Sequence, residues 1–174
     1  MDIFFQQILN GLVLGSVYAL VALGYTMVYG ILQLINFAHG EVLMVGAMTA
    51  VTVVNLLQKI SPGIPGPVLL MISIGCAIPV CIVLSLLIER VAYRPLRNAP
   101  RLAPLITAIG ASIVIQTLAM MIWKPNPIVF PDLLSTEPIE LGGALLAPKQ
   151  ALILVVSTLM MGGLLLLVYR TRLG

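Results

Sequence analysis

The sequence predicts an all-α fold: a polytopic membrane helical bundle of about five membrane segments, with a broken or re-entrant element between segments 1 and 2. Two observations carry this. Hydrophobic residues make up 60% of the 174-residue chain and charged residues only 9%, against about 25% charged in a soluble domain. So few charges cannot cover a water-facing surface, and a bilayer is the solvent that fits. The charges are also confined to narrow intervals. Ile3 to Ala38, Val42 to Gln58, Ile60 to Ile88, Leu102 to Trp123 and Gln150 to Tyr169 contain no ionisable carboxyl, amine, guanidine or imidazole. A bilayer core takes about 20 apolar residues as a helix. Membrane strands need alternating polarity over about 10 residues, and no stretch alternates. Unpaired backbone groups cost several kcal/mol each in lipid, which leaves helices.

In chain order, segment 1 is read at Ile8–Tyr29, segment 2 at Gly40–Leu57 and segment 3 at Val68–Ile88. Segment 3 follows the breaker-rich stretch Ser61-Pro-Gly-Ile-Pro-Gly-Pro67. Segment 4 is read at Leu102–Trp123 and segment 5 at Gln150–Tyr169. Asp2 is the sole charged side chain ahead of the first apolar run, which is far longer than a cleavable h-region, so no signal peptide is read. Orientation follows from Lys and Arg in short links. The link between segments 3 and 4 holds Arg90, Arg94, Arg97 and Arg101 and reads as cytoplasmic. Arg170 and Arg172, after segment 5, read the same way. The link from Lys124 to Lys149 carries Asp132, Glu137 and Glu140 against two lysines and reads as external. Its prolines oppose a long helix, so it is read as a loop with room for one short interfacial helix. Lys59 falls outside, against the rule.

Small residues mark close helix approach in lipid. Gly11, Gly15 and Ala19 form one such stripe. Ala103, Thr107 and Ala111, beside Ala108 and Ser112, form another. Pro79 inside segment 3 removes a backbone donor and predicts a kink. Cys76 and Cys81, five apart, fall on different helix faces and read as packing residues. Tyr18, Tyr25 and Tyr29 share a face of segment 1 and also read as packing.

The most informative stretch is Gln33-Leu-Ile-Asn-Phe-Ala-His-Gly-Glu41. The uncharged run before it is too long for one straight span and too short for two, so the chain breaks here. Asn36 and Gly40 are poor mid-helix residues. Asn36 is placed to cap the next helix, whose first turns then carry Glu41, where the helix dipole favours negative charge. A carboxylate at membrane depth costs roughly 3 kcal/mol even on lenient scales, and such residues are usually functional or paired inside the protein. Transporters use broken helices to line cavities at this depth. Asn36, His39 and Glu41 are therefore candidate pathway residues, with Thr52 and Asn55 continuing the same face beyond Met48. A second reading stands beside this one: His39 and Glu41 end a loop at the cytoplasmic interface. The four arginines likewise read either as interface anchors or as a contact with a cytoplasmic partner.

These motifs resemble a known family. Asn36-Phe-Ala-His-Gly-Glu41 resembles the segment after the first helix of branched-chain amino acid permeases of the LivH type. Asn10-Gly-Leu-Val-Leu-Gly-Ser-Val-Tyr-Ala-Leu20 resembles that family's opening. Glu89-Arg-Val-Ala-Tyr-Arg-Pro-Leu-Arg97 resembles its basic link, and Leu105-Ile-Thr-Ala-Ile-Gly-Ala-Ser112 the start of the following helix. The resemblance implies a permease subunit in a bacterial cytoplasmic (inner) membrane that hydrolyses nothing itself and carries no cofactor. It implies a second permease subunit, cytoplasmic ATP-binding subunits and a periplasmic substrate-binding protein as partners, with membrane lipid around it and no nucleic acid. Urea and short-amide importers share the resemblance, so the substrate stays open. Family members continue with further helices and a cytoplasmic coupling loop. The chain reads as a single transmembrane domain over 1–174, incomplete at its C-terminal end.

A membrane scaffold or assembly protein without transport is the competing class. An enzyme is disfavoured because His39 and Glu41, two apart, do not face each other on a helix. No nucleophile motif, metal-ligand spacing or phosphate-binding glycine loop is present. A neighbouring reading frame with a Walker-type phosphate loop separates transporter from scaffold. The orientation has its own test. In a background lacking Cys76 and Cys81, a cysteine at Ser135 should react with an impermeant thiol reagent from the periplasm and one at Asn98 should not. The reverse pattern contradicts the arginine argument.

Overall fold

The computed structural model describes residues 2–32, 36–96, 99–100, 102–133, 139–141 and 144–170. Five helices are long and apolar enough to cross a membrane. They are α1 (Asp2–Leu32), α2 (His39–Ile60), α3 (Gly66–Ile88), α4 (Leu102–Trp123) and α5 (Pro148–Arg170). The chain divides into two compact units, one of Met1–Gln33 with Leu134–Gly174 and one of Leu34–Leu133.

In the first unit α1 runs unbroken for 31 residues, about 46 Å at 1.5 Å per residue. It is longer than Ile8–Tyr29 because residues 2–7 include no helix breaker. α5 opens with Pro148, whose missing N–H is tolerated at a first helical position. Near the start of α5, Gln150 accepts from the Ala147 N–H at 3.1 Å and donates through Nε2 to Asn10 Oδ1 at 3.2 Å. One amide side chain thus closes the helix start and ties it to the first third of α1. Directly before α5 comes an antiparallel hairpin, β1 (Ile139–Leu141) and β2 (Ala144–Leu146), in register Ile139↔Leu146. The short interfacial helix allowed for in this link is replaced here by a hairpin. The connecting Gly142-Gly143 lies outside the described residues.

In the second unit α2, α3 and α4 run up, down and up. Ser61 ends α2, its N–H bonding Leu57 O at 2.8 Å. Pro65 precedes α3, and Pro67 sits in its first turn. A Cβ on Gly66 would strike the Leu133 backbone, so the chain after α4 returns to the start of α3. Lys59 occupies the last turn of α2, where the helix dipole favours a cation. Lys124, directly after α4, adopts φ 64°, the left-handed conformation common just past a helix end. The helix of α3 does not stop at Ile88. It passes into a π turn, Glu89–Tyr93, and a 3-10 turn, Arg94–Leu96. Arg90 and Arg94 therefore ride on helix rather than on a loop, and Arg97 and Arg101 lie outside the described residues. Pro79 sits inside α3, which continues through it.

The small-residue stripes divide. Ala108 is fully buried in a core with Ala38, Ile88, Ala92, Tyr93 and Ile115, and Ala111 packs against that core. Gly11 and Gly15 meet open space, and Tyr18 and Tyr29 are exposed. The packing read for that face of α1 is not made by these residues within the described chain. Ser and Thr hydroxyls on the helices mostly donate to carbonyls three or four residues earlier, including buried Ser73 at 2.8 Å and Ser157 at 3.1 Å. That satisfies a hydroxyl without a neighbour.

α2 and α3 approach each other closely at Gly46. A Cβ there would lie 2.6 Å from Cys81 Sγ, and the Cys81 thiol donates weakly to Val42 O at 3.6 Å. Cys81 is thus a packing residue, while Cys76 is exposed. Gly46→Ala should destabilise the detergent-solubilised protein by about 1–3 kcal/mol through overpacking. Adding Cys81→Ala should abolish that loss or turn it into a small gain, since Ala is the better helix former. An equal loss in both backgrounds, read from thermal unfolding, contradicts the contact.

Candidate functional site

The conspicuous polar motif, Asn36 to Glu41, sits where α2 begins, with Asn36 bonded to the turn that follows α3 and Glu41 to α4. Asn36 Oδ1 accepts from the Ala38 N–H at 3.0 Å, an Asx turn, and from the Tyr93 hydroxyl at 2.7 Å. The Asn36 carbonyl accepts the His39 N–H at 3.2 Å. Asn36 is thus not the N-cap of α2. Ala38 holds that place in helical conformation without a side-chain cap, and Asn36 closes the turn just before it. Ala38 is fully buried in the core that includes Ala92, Tyr93 and Ala108. Three alanines let the chain break pass close to two helices. The π turn at Glu89–Tyr93 contributes Ala92 and Tyr93 to this contact. Such widened turns concentrate at functional sites.

Glu41, in the first turn of α2, accepts a hydrogen bond from the Ser112 hydroxyl at 2.9 Å. Toward the other end of α2, Thr52 accepts from the Trp123 indole N–H at 2.8 Å while donating to Met48 O at 2.7 Å. Both interhelical bonds join residues 71 apart in sequence. Glu41 and Thr52 are eleven residues apart, as are Ser112 and Trp123. About eleven residues make three helical turns, returning to one face some 16 Å along the axis. The two clasps therefore hold α2 and α4 parallel in a single register. Ser112 lies midway between Leu102 and Trp123, so Glu41 is level with the middle of α4 and far from its ends.

The candidate residues separate accordingly. Asn36 and Glu41 are brought to one junction, half-buried, with His39 half-buried beside them on α2. Thr52 belongs to the second clasp, and Asn55 is exposed. Tyr93, Ser112 and Trp123 were not named as site residues. Their signal was a polar group on an otherwise apolar helix, with Ser112 and Trp123 repeating the Glu41–Thr52 spacing. An apolar groove of about 450 Å³ borders the junction, with Val45, Leu84 and Ile115 in its wall. Among the described residues no group of three His, Cys, Asp or Glu side chains is placed to hold a metal ion.

Residues 7–174 match the family described as branched-chain amino acid transport system / permease component. The chain belongs to that family. Over 98% of its length it is 43% identical to the high-affinity branched-chain amino acid transport system permease protein BraD of Pseudomonas aeruginosa, covering 57% of that protein. It is 41% identical to the permease protein LivH of Salmonella typhimurium and 40% identical to LivH of Escherichia coli, covering 56% of each. The chain thus spans a little over half the length of these curated permeases. No solved structure matches it. The resemblance read from the four motifs is the family found, and the chain is a multi-pass membrane member of it.

The two clasps give this permease sequence a direct test. Ser112→Ala and Trp123→Phe should each cost about 0.5–1.5 kcal/mol, the range for interhelical hydrogen bonds in membranes. Their losses should add in the double variant, because the sites are about 16 Å apart and share no partner. Strong non-additivity in unfolding from mixed micelles contradicts two independent clasps.

Proposed function

We propose that the chain forms the membrane-spanning permease subunit of an ATP-driven importer that carries branched-chain amino acids across the bacterial cytoplasmic membrane. Its partners in that role are a second permease subunit, cytoplasmic ATP-binding subunits and a periplasmic substrate-binding protein. The family and the five apolar helices support this reading over a scaffold. Transport requires a polar group inside the apolar thickness, and one observation carries that point: Glu41 meets Ser112 level with the middle of α4. Asn36, His39 and Glu41 shape the path there, and Thr52 and Asn55 extend it outward. A zwitterionic substrate leaving water needs such groups, and a helix that begins within the protein offers its N-terminal N–H groups as well. The end of α3 and the link to α4, which carry the four arginines, lie on the cytoplasmic side, where those partners dock.

A structural reading has its own support, because Asn36, Glu41 and Thr52 each hold a partner on another helix. Two variants separate the readings in the assembled importer, with uptake of labelled leucine measured per inserted protein. Glu41→Gln should reduce uptake and Glu41→Leu should reduce it further, by roughly tenfold or more if a buried hydrogen-bonding group is lost. Ser112→Ala, which keeps the carboxyl, should be milder than Glu41→Leu. Near-parental uptake by Glu41→Leu removes Glu41 from the path. Equal damage by Ser112→Ala and Glu41→Leu makes the pair a brace only.

A further inference from the structure

Two cavities are lined by α3 and its helical continuation, and they differ in chemistry. The first is the apolar groove of about 450 Å³, whose wall includes Pro79, Val83, Leu87, Ile122 and Trp123. The second, about 390 Å³, is lined by Leu86, Glu89, Arg90 and Arg94. Leu87 lines the first and Leu86 the second, and Val83, Leu86 and Leu87, at i, i+3 and i+4, share one face of the helix, so both cavities open on that side near the end of α3. This depends on the helix continuing past Ile88. The π turn and the 3-10 turn keep Arg90 and Arg94 on helical structure, one turn apart, at the end of an apolar face. Val83, Leu86 and Leu87 on that face are all exposed.

Two guanidinium groups against one carboxylate leave the charged cavity with a net formal charge of +1. Guanidinium groups pair with phosphate oxygens through forked, charge-assisted hydrogen bonds. Glu89 beside them offers an acceptor to a hydroxyl donor. A free phosphate has no use for the groove, and an apolar transmembrane helix would need an acidic end to meet the arginines. A molecule with a phosphodiester of charge −1, a hydroxyl-bearing headgroup and a long hydrocarbon tail uses all of it. From Arg90 to Pro79 the helix rises about 16 Å, close to the hydrocarbon depth of one leaflet, half of about 30 Å.

We propose that α3 carries a site for an anionic glycerophospholipid of the phosphatidylglycerol type. Its phosphate lies on Arg90 and Arg94, its headgroup hydroxyl on Glu89, and one acyl chain in the groove leading to Trp123. Basic pockets at the end of membrane helices hold acidic lipid headgroups elsewhere by the same chemistry. The site goes beyond the transport reading and does not require it.

The test uses the single tryptophan of the chain, which lines the groove. The protein is reconstituted in phosphatidylcholine vesicles containing a rising fraction of phosphatidylglycerol brominated in the distal part of its acyl chain. A parallel series uses phosphatidylcholine brominated at the same position. Bromine quenches indole fluorescence only at contact. Phosphatidylglycerol should half-quench Trp123 at a mole fraction about fivefold lower, the effect of one net basic charge near the surface. Arg90→Gln and Arg94→Gln should each reduce that preference, and the double variant should abolish it with helicity by circular dichroism unchanged. Equal quenching by the two lipids in the parental protein overturns the proposal. So does an undiminished preference in the folded double variant, which would leave the arginines to a cytoplasmic partner.

Discussion

A carboxyl group carried into an apolar helix bundle must find a donor, and the arrangement of α2, α3 and α4 follows from how Glu41 finds one. Its partner is the Ser112 hydroxyl at 2.9 Å. Three turns further along both helices, Trp123 donates to Thr52 at 2.8 Å. Two clasps at equal spacing fix direction, register and facing side at once. With α2 and α4 parallel, α3 must return antiparallel between their sequence positions. Gly46 admits it closely beside Cys81, and Tyr93 reaches Asn36 at 2.7 Å where the return ends. In lipid no hydrophobic drive brings helices together, so small residues and polar pairs carry such contacts.

Most of the fold was legible because charge placement alone delimits membrane helices. Segment 4 was read to the residue, and segments 2, 3 and 5 were each extended in the structure by one to three residues at one or both ends. The break before His39 was legible from run length. Other features were hidden for identifiable reasons. Arg90 and Arg94 looked like loop residues because charge suggested water, yet long basic side chains at a helix end can extend from helical backbone. The hairpin at 139–146 was signalled by Gly142-Gly143 between apolar residues, but the prolines before it drew the reading toward irregular loop. Asn36 was placed correctly at the break and its partner Tyr93 was not, because periodicity in α3 does not foresee a π turn. The stripe on α1 was legible as a spacing, and what it meets was not: Gly11 and Gly15 touch nothing within the described chain.

For the site, the polar residues of α2 were legible one by one, and their pairing was not. Single-helix reasoning placed Glu41 and Thr52 on one face but could not say what the face meets. The eleven-residue repeat shared by Glu41–Thr52 and Ser112–Trp123 was present in the sequence, and it acquires meaning only when both helices run the same way. Which of the two sequence readings of Glu41 holds, pathway residue or interfacial one, turns on whether the bond to Ser112 keeps its carboxyl away from water.

Magic-angle-spinning NMR of the protein in bilayers, with Glu and Ser carbon-labelled, tests that point most directly. The account predicts a through-space correlation between the Glu41 carboxyl carbon and Ser112 Cβ, with little magnetisation transfer from bulk water to Glu41. A Glu41 carboxyl that exchanges magnetisation freely with bulk water and shows no correlation to Ser112 would place it at the interface and contradict the account.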